Sequence, residues 1–235
     1  MRIALYSLIF LGTVLLVLDL TKLVEGIEPQ KKAAAQKSTP VETHGSQDPP
    51  KQKSAESQPA GHPDIDQALA LYTQAIEKSP TKAAPYASRG NAYIANKDYE
   101  KAVTDYDQAI KIEPENIDYL LQRGALFLNL NQSDKAITDF THVLKIDPDR
   151  TKALAYRAFI YYRNKQHQEA LNDCLMMLEK DSTFTDLHTT IAQCYKALDQ
   201  DDKAIFHLEL YIQSTKDTEG KKKAEALLKE WTPQP

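Results

Sequence analysis

Two stretches decide the reading: Ala109–Asn116, AIKIEPEN, and Val143–Arg150, VLKIDPDR. They say nearly the same thing 34 residues apart, and Pro80, Pro114 and Pro148 keep that spacing. Ser182 stands where the next proline is due. With the proline at position 32 of a unit, units begin at Ala83, Ile117, Thr151 and Thr185. Position 20 is then Ala102, Ala136, Ala170 and Ala204, and position 8 is Gly90, Gly124, Ala158 and Ala192. Position 11 holds Tyr93, Phe127, Tyr161 and Tyr195; position 24 holds Tyr106, Phe140, Cys174 and Leu208.

This pattern describes a helical hairpin. Small residues at positions 8 and 20 let two helices approach, and the large residue at 11 fills the space beside them. Tyr99, Val103, Tyr106 and Ile110 follow one another by four, three and four residues, which is one helical stripe. Polar breaks such as Gln132-Ser133-Asp134 separate the two helices, with Ser133 or Asp134 as the expected cap of the second. The proline ends the second helix by pushing its predecessor out of the α region. A single hairpin cannot bury both of its faces, so neighbours must stack.

The stretch Tyr86–Pro114, YASRGNAYIANKDYEKAVTDYDQAIKIEP, resembles a tetratricopeptide (TPR) repeat of the Y-x-x-x-G-x-x-Y…A…Y-x-x-A…P type. The resemblance runs from Ile65 to about Thr218 and implies an all-α, right-handed TPR-type solenoid. Repeats are expected at 83–116, 117–150, 151–184 and 185–218, the last lacking both the glycine and the proline of the signature. Residues 64–82 give only a half repeat, because Pro59 and Pro63 exclude a helix before it. Residues 219–232 fit a capping helix with Ala224, Leu227, Leu228 and Trp231 turned inward.

Charge provides an internal control. Arg89, Arg123 and Arg157 occupy position 7, and Asp105, Asp139 and Asp173 occupy position 23. The last unit has Ile191 and His207 there, so both members vanish together. Pairing Asp with the next unit's Arg would strand Arg89 and Asp173. Bridges within each hairpin are therefore expected, with a structural role.

In proteins of this resemblance the first helices line a concave groove. Carried over, its partner-binding residues are Asn91, Leu121, Leu128, Asn129, Phe159, Tyr162 and Arg163. Aromatic and guanidinium groups are the types enriched at binding hot spots, and the asparagine amides suit a peptide backbone. Ala87, Asp118, Lys152 and Gln193 lie on the same positions. The family's clamp for a chaperone's carboxyl-terminal tail is incomplete: Ala87 stands where it needs lysine, and Tyr156 where it needs a further cation.

No catalytic constellation, metal-ligand spacing or cofactor motif is found, so a non-catalytic protein is expected, with no small-molecule substrate. A near-balanced charge of −4 argues against nucleic acid as a partner. Cys174 and Cys194 fall on adjacent stacked helices; they form either a disulfide in an oxidising compartment or two packed thiols.

Ile3–Leu18 contains no charged side chain. A helix continued to Val24 spans about 33 Å, enough for a bilayer core. Residues 1–27 are thus a signal anchor, or a signal peptide cleaved after Gly26. The anchor reading places the repeats outside the cytoplasm; cleavage makes the chain secreted. Residues 28–63, rich in Pro, Lys, Gln and Ser and without an aromatic, read as a disordered linker. The expected function is a membrane-tethered adaptor that captures a protein or peptide segment in its groove. The alternative is an assembly factor acting through self-association or its convex face.

Overall fold

A computed structural model of the chain describes residues 63–232; the apolar segment and nearly all of the linker lie outside them. Among the described residues there are ten helices and no strand. They are α1 (Pro63–Lys78), α2 (Ala83–Ala95), α3 (Tyr99–Ile112), α4 (Ile117–Asn129), α5 (Ser133–Ile146), α6 (Thr151–Arg163), α7 (His167–Lys180), α8 (Leu187–Ala197), α9 (Asp201–Ser214) and α10 (Thr218–Trp231). Each packs chiefly on its neighbours in chain order, giving a TPR-like helical solenoid.

The turn inside each hairpin has one design. Lys97, Asn131, Lys165 and Asp199 all adopt positive φ, between 55° and 62°. The N–H after each of them donates five residues back, as Asp98 does to the Tyr93 carbonyl at 2.8 Å. The left-handed residue donates to the carbonyl three residues back, as Lys97 does to Ile94. These paired bonds satisfy carbonyls that the helix end would otherwise leave orphaned.

The boundaries depart from expectation in three places. The helix α1 begins at Pro63, a first helical position where proline's missing N–H costs nothing. Ser133 is the first residue of α5, preceded by Gln132, and no side chain caps that end. The helix α8 starts at Leu187 because Phe184, Thr185 and Asp186 are taken up in turns. The missing proline at Ser182 is replaced by a side-chain turn, with Asp181 Oδ1 accepting from the Thr183 N–H at 2.8 Å.

The core runs along the array as linked clusters. Ala102, Ala136, Ala170 and Ala204 are each fully buried, as are Tyr106, Phe140, Cys174 and Leu208 one turn further along the same helices. Phe140 stacks on Tyr156 of the next unit, with ring centroids 4.9 Å apart. Burying a side chain of this size stabilises by about 2–3 kcal/mol. Cys174 and Cys194 are free thiols in one buried cluster, and burial pushes both thiols up. At the end, α10 closes the array: Ala224 is buried, and Leu227, Leu228 and Trp231 pack on Tyr211 and Leu208.

Each position-7 arginine forks onto the aspartate of its own hairpin. Arg89 Nε and Nη2 donate to Asp105 at 2.9 and 2.7 Å. Arg123 does the same to Asp139, and Arg157 to Asp173, at the same distances. The third nitrogen, Nη1, reaches back to the preceding unit: Arg89 to Thr73 at 3.1 Å, Arg123 to Asp107 at 2.7 Å, and Arg157 to Thr141 at 3.1 Å. One guanidinium thus ties two helices of a hairpin and a third from its neighbour. In the last unit Ile191 is buried, and His207 instead meets His188, Nδ1 to Nδ1 at 2.9 Å.

Candidate functional site

The first helices α2, α4, α6 and α8 carry the residues singled out for partner binding, and the structure distributes them unevenly. Asn91 is exposed, and its Oδ1 accepts from the Tyr106 hydroxyl at 2.7 Å. That bond fixes the amide, leaving its NH2 end unspent on Tyr106. Leu121 is only 3 % exposed; it belongs to the core with Phe140 and Tyr156 rather than to an open surface. Leu128 and Phe159 are half-buried against that same cluster. Asn129 is exposed at the last position of α4.

Tyr162 is half-buried, and its hydroxyl donates to Gln193 Oε1 on α8. Burial pushes that phenol up to about 12, so it remains a neutral donor at any ordinary pH. Its ring meets His167 edge-on, with centroids 5.7 Å apart. Arg163 is exposed, with its guanidinium over the Phe159 ring at 5.5 Å. A cation held over an aromatic face keeps N–H groups for another acceptor.

One pocket of about 240 Å³ draws on three successive units. Ala87 and Asn91 of α2, Asp118, Tyr119, Leu121 and Gln122 of α4, Tyr106 of α3, and Arg150 with Lys152 at the start of α6 line it. Arg150 Nη2 lies 3.3 Å from Asp118 Oδ1. Burial, with Arg150 nearby, holds the Lys152 ammonium below its usual range. With a depressed lysine, two amides and a guanidinium that already meets Asp118, the site suits polar groups with accessible oxygens. Arg150, Gln122 and Tyr119 do not fall on the carried-over groove positions. The signal for Arg150 is its place immediately before α6, at the last position of its unit, where it reaches the start of α4.

A TPR-repeat model matches residues 90–131, and two tetratricopeptide-repeat models match 71–104 and 117–150. These residues carry tetratricopeptide repeats. The same hairpin continues structurally through α9, beyond the matched residues. No curated protein matches the chain. Among solved structures, YrrB, a TPR protein with an unusual peptide-binding site, is 22 % identical with a TM-score of 0.61. That alignment covers 69 % of this chain and 84 % of YrrB. The 41-end fragment of MamA from Desulfovibrio magneticus RS-1 is 18 % identical, covering 66 % and 89 %, with a TM-score of 0.57. A tetratricopeptide repeat protein from Parabacteroides merdae ATCC 43184 is 21 % identical, covering 72 % and 68 %, with a TM-score of 0.51. At such identities the likeness is one of fold, and these TPRs share it.

Proposed function

We propose that the chain is a non-catalytic interaction scaffold that holds a segment of a partner protein along the face lined by its first helices. The observation that carries this reading is the pocket between α2, α4 and α6, which no single repeat builds. A segment lying across successive units would meet Asn91 and Gln122 amides, then the Arg150 and Lys152 cations, then the Arg163–Phe159 pair. Amides suit a peptide backbone and the cations suit carbonyl or carboxylate oxygens. The peptide-binding site named for YrrB is in keeping with this use of the fold.

The uncharged run Ile3–Leu18 supports a membrane anchor, and Arg2 in the short region before it supports leaving the repeats outside the cytoplasm. Resistance to alkaline extraction, together with digestion of the repeats by protease added to intact cells, is the expected result. A soluble chain beginning at Ile27 would replace the anchor with a secreted form.

Capture of a partner by the full chain tests the groove. Lys152→Glu with Arg163→Glu reverses two charges on this face and removes no fully buried side chain. Loss of capture with an unchanged helical spectrum is expected; undiminished capture would retire this face.

A further inference from the structure

Among the described residues, α1 is a second helix without a first. At position 20 the other units bury Ala102, Ala136, Ala170 and Ala204 completely, yet Ala68 is only half-buried. At positions 24 and 27, Tyr72 and Ala75 are half-buried, where Tyr106, Phe140, Cys174, Leu208, Ala109, Val143, Met177 and Tyr211 are at most 1 % exposed. Position 23 holds Leu71, which is 59 % exposed, in place of the buried aspartates. The residues open to solvent are those that elsewhere pack against the hairpin's own first helix. The opposite flank of α1 is engaged, since Thr73 accepts from Arg89 of α2.

We propose that this face is covered by the same face of a second copy of the chain, with the two α1 helices antiparallel across a twofold axis. The segment that the 34-residue register would put there, residues 49–62, does not have the required residues. It offers Glu56 where the other units have glycine or alanine, and Pro59 where they have an aromatic ring. The face of α1, by contrast, is self-complementary. Ala68, Leu71, Tyr72 and Ala75 are spaced three, one and three. Reversing the helix lays alanine over alanine and leucine over tyrosine, as a twofold interface requires. The flanking alanines permit the close approach that every other hairpin uses. Charge agrees: the first turn of α1 carries Asp64 and Asp66 and its last turn Lys78. Antiparallel pairing sets Asp64 of one copy beside Lys78 of the other and opposes the two helix dipoles, whereas parallel pairing would stack like charges.

One helix pair is a small interface, so the dimer forms reversibly with concentration. The proposal is independent of the groove. Leu71→Cys in the full chain is the direct test, the native Cys174 and Cys194 being buried. With a thiol oxidant, it should form a covalent dimer at least about tenfold faster than Gln108→Cys, a control on the exposed side of α3. Leu71→Asp should shift the dimer–monomer midpoint in light scattering at least about tenfold, with helical content and partner capture unchanged. A wild-type monomer at every concentration overturns the proposal, as does cross-linking no faster than the control. A monomer in which the introduced thiol is also shielded from maleimide overturns it too, by assigning the cover to residues 1–62. A dimer indifferent to Leu71→Asp places the interface elsewhere and equally rejects it.

Discussion

A Cβ built on Gly124 would lie 2.7 Å from Cε1 of Phe140. That is nearer than packed carbons approach, and the atom in the way belongs to a fully buried ring stacked on Tyr156. Gly90 stands in the same relation to Tyr106 at 3.0 Å. In the later units Ala158 and Ala192 take the glycine's place, and the residues opposite shrink to Cys174 and Leu208. Positions 8 and 24 therefore share one volume.

Gly124→Ala should destabilise the array by about 1–3 kcal/mol, the usual cost of forcing extra volume into a packed core. Its better helix propensity offsets part of this. Phe140→Leu alone should also destabilise, by leaving a void. Together the two should cost less than their sum, because each relieves what the other creates. A double-mutant cycle by denaturant unfolding reads the coupling directly; strict additivity would show that the two positions do not compete for space.

The arginine forks make a second prediction. Asp173 is buried, and Arg157 supplies two of its hydrogen bonds. Arg157→Ala leaves that carboxylate uncompensated and should cost about 3 kcal/mol, measured by denaturant midpoint. Replacing both, as Arg157→Ile with Asp173→Leu, should cost clearly less than Arg157→Ala alone. The last unit already tolerates such a change, with Ile191 at the arginine's position. An equal loss in the double variant would mean that the ion pair itself, rather than the stranded charge, sets the stability.

The hairpin order was readable from the sequence because proline, alanine and the small–large pair repeat in one register, and each acts through local geometry. The in-hairpin direction of the Arg–Asp pairs was readable because Ile191 and His207 remove both partners at once. The backward reach of the same arginines was not, since position 25 alternates between Thr73, Asp107 and Thr141 and no single chemistry marks it. On the candidate site, the inward-facing position of Leu121 suggested an open contact. Its burial follows from the bulk of Phe140 and Tyr156 around it, which a positional rule does not weigh. Arg150 sits in a turn outside the helical periodicity, so no stripe points to it. The left-handed turn residues were hidden because none is glycine.

That last feature is itself testable. Lys97 has φ 62° at the residue following the Asn96 C-cap, where glycine is the unstrained choice. A left-handed L-residue costs roughly 1–2 kcal/mol. Lys97→Gly should therefore stabilise the array by about 1 kcal/mol after the extra freedom glycine gives the unfolded chain, raising Tm by roughly 2–4 °C. Lys165→Gly, in a separate turn, should add to it. A fall in Tm would show that the lysine side chain contributes more than its backbone strain costs.

His207 and His188 face each other Nδ1 to Nδ1 at 2.9 Å, so one ring must present N–H to the bare nitrogen of the other. Tyr195 and Phe206 pack around His207. Burial, then the neighbouring His188, holds His207 down to about 4, and burial lowers His188 as well. In the unfolded chain a histidine titrates near 6.5. Between those values the unfolded state binds more protons than the folded one, so stability falls as pH drops from about 6.5 towards about 4 and is fully present above that window. With allowance for solvent around a half-buried pair, the loss between pH 7 and pH 5 should be roughly 1–2 kcal/mol. Thermal melts at the two pH values should show it in the wild-type chain and show a clearly smaller drop in His207→Gln, which keeps a polar side chain and removes the titration. An equal drop in both would place the acid sensitivity outside this pair.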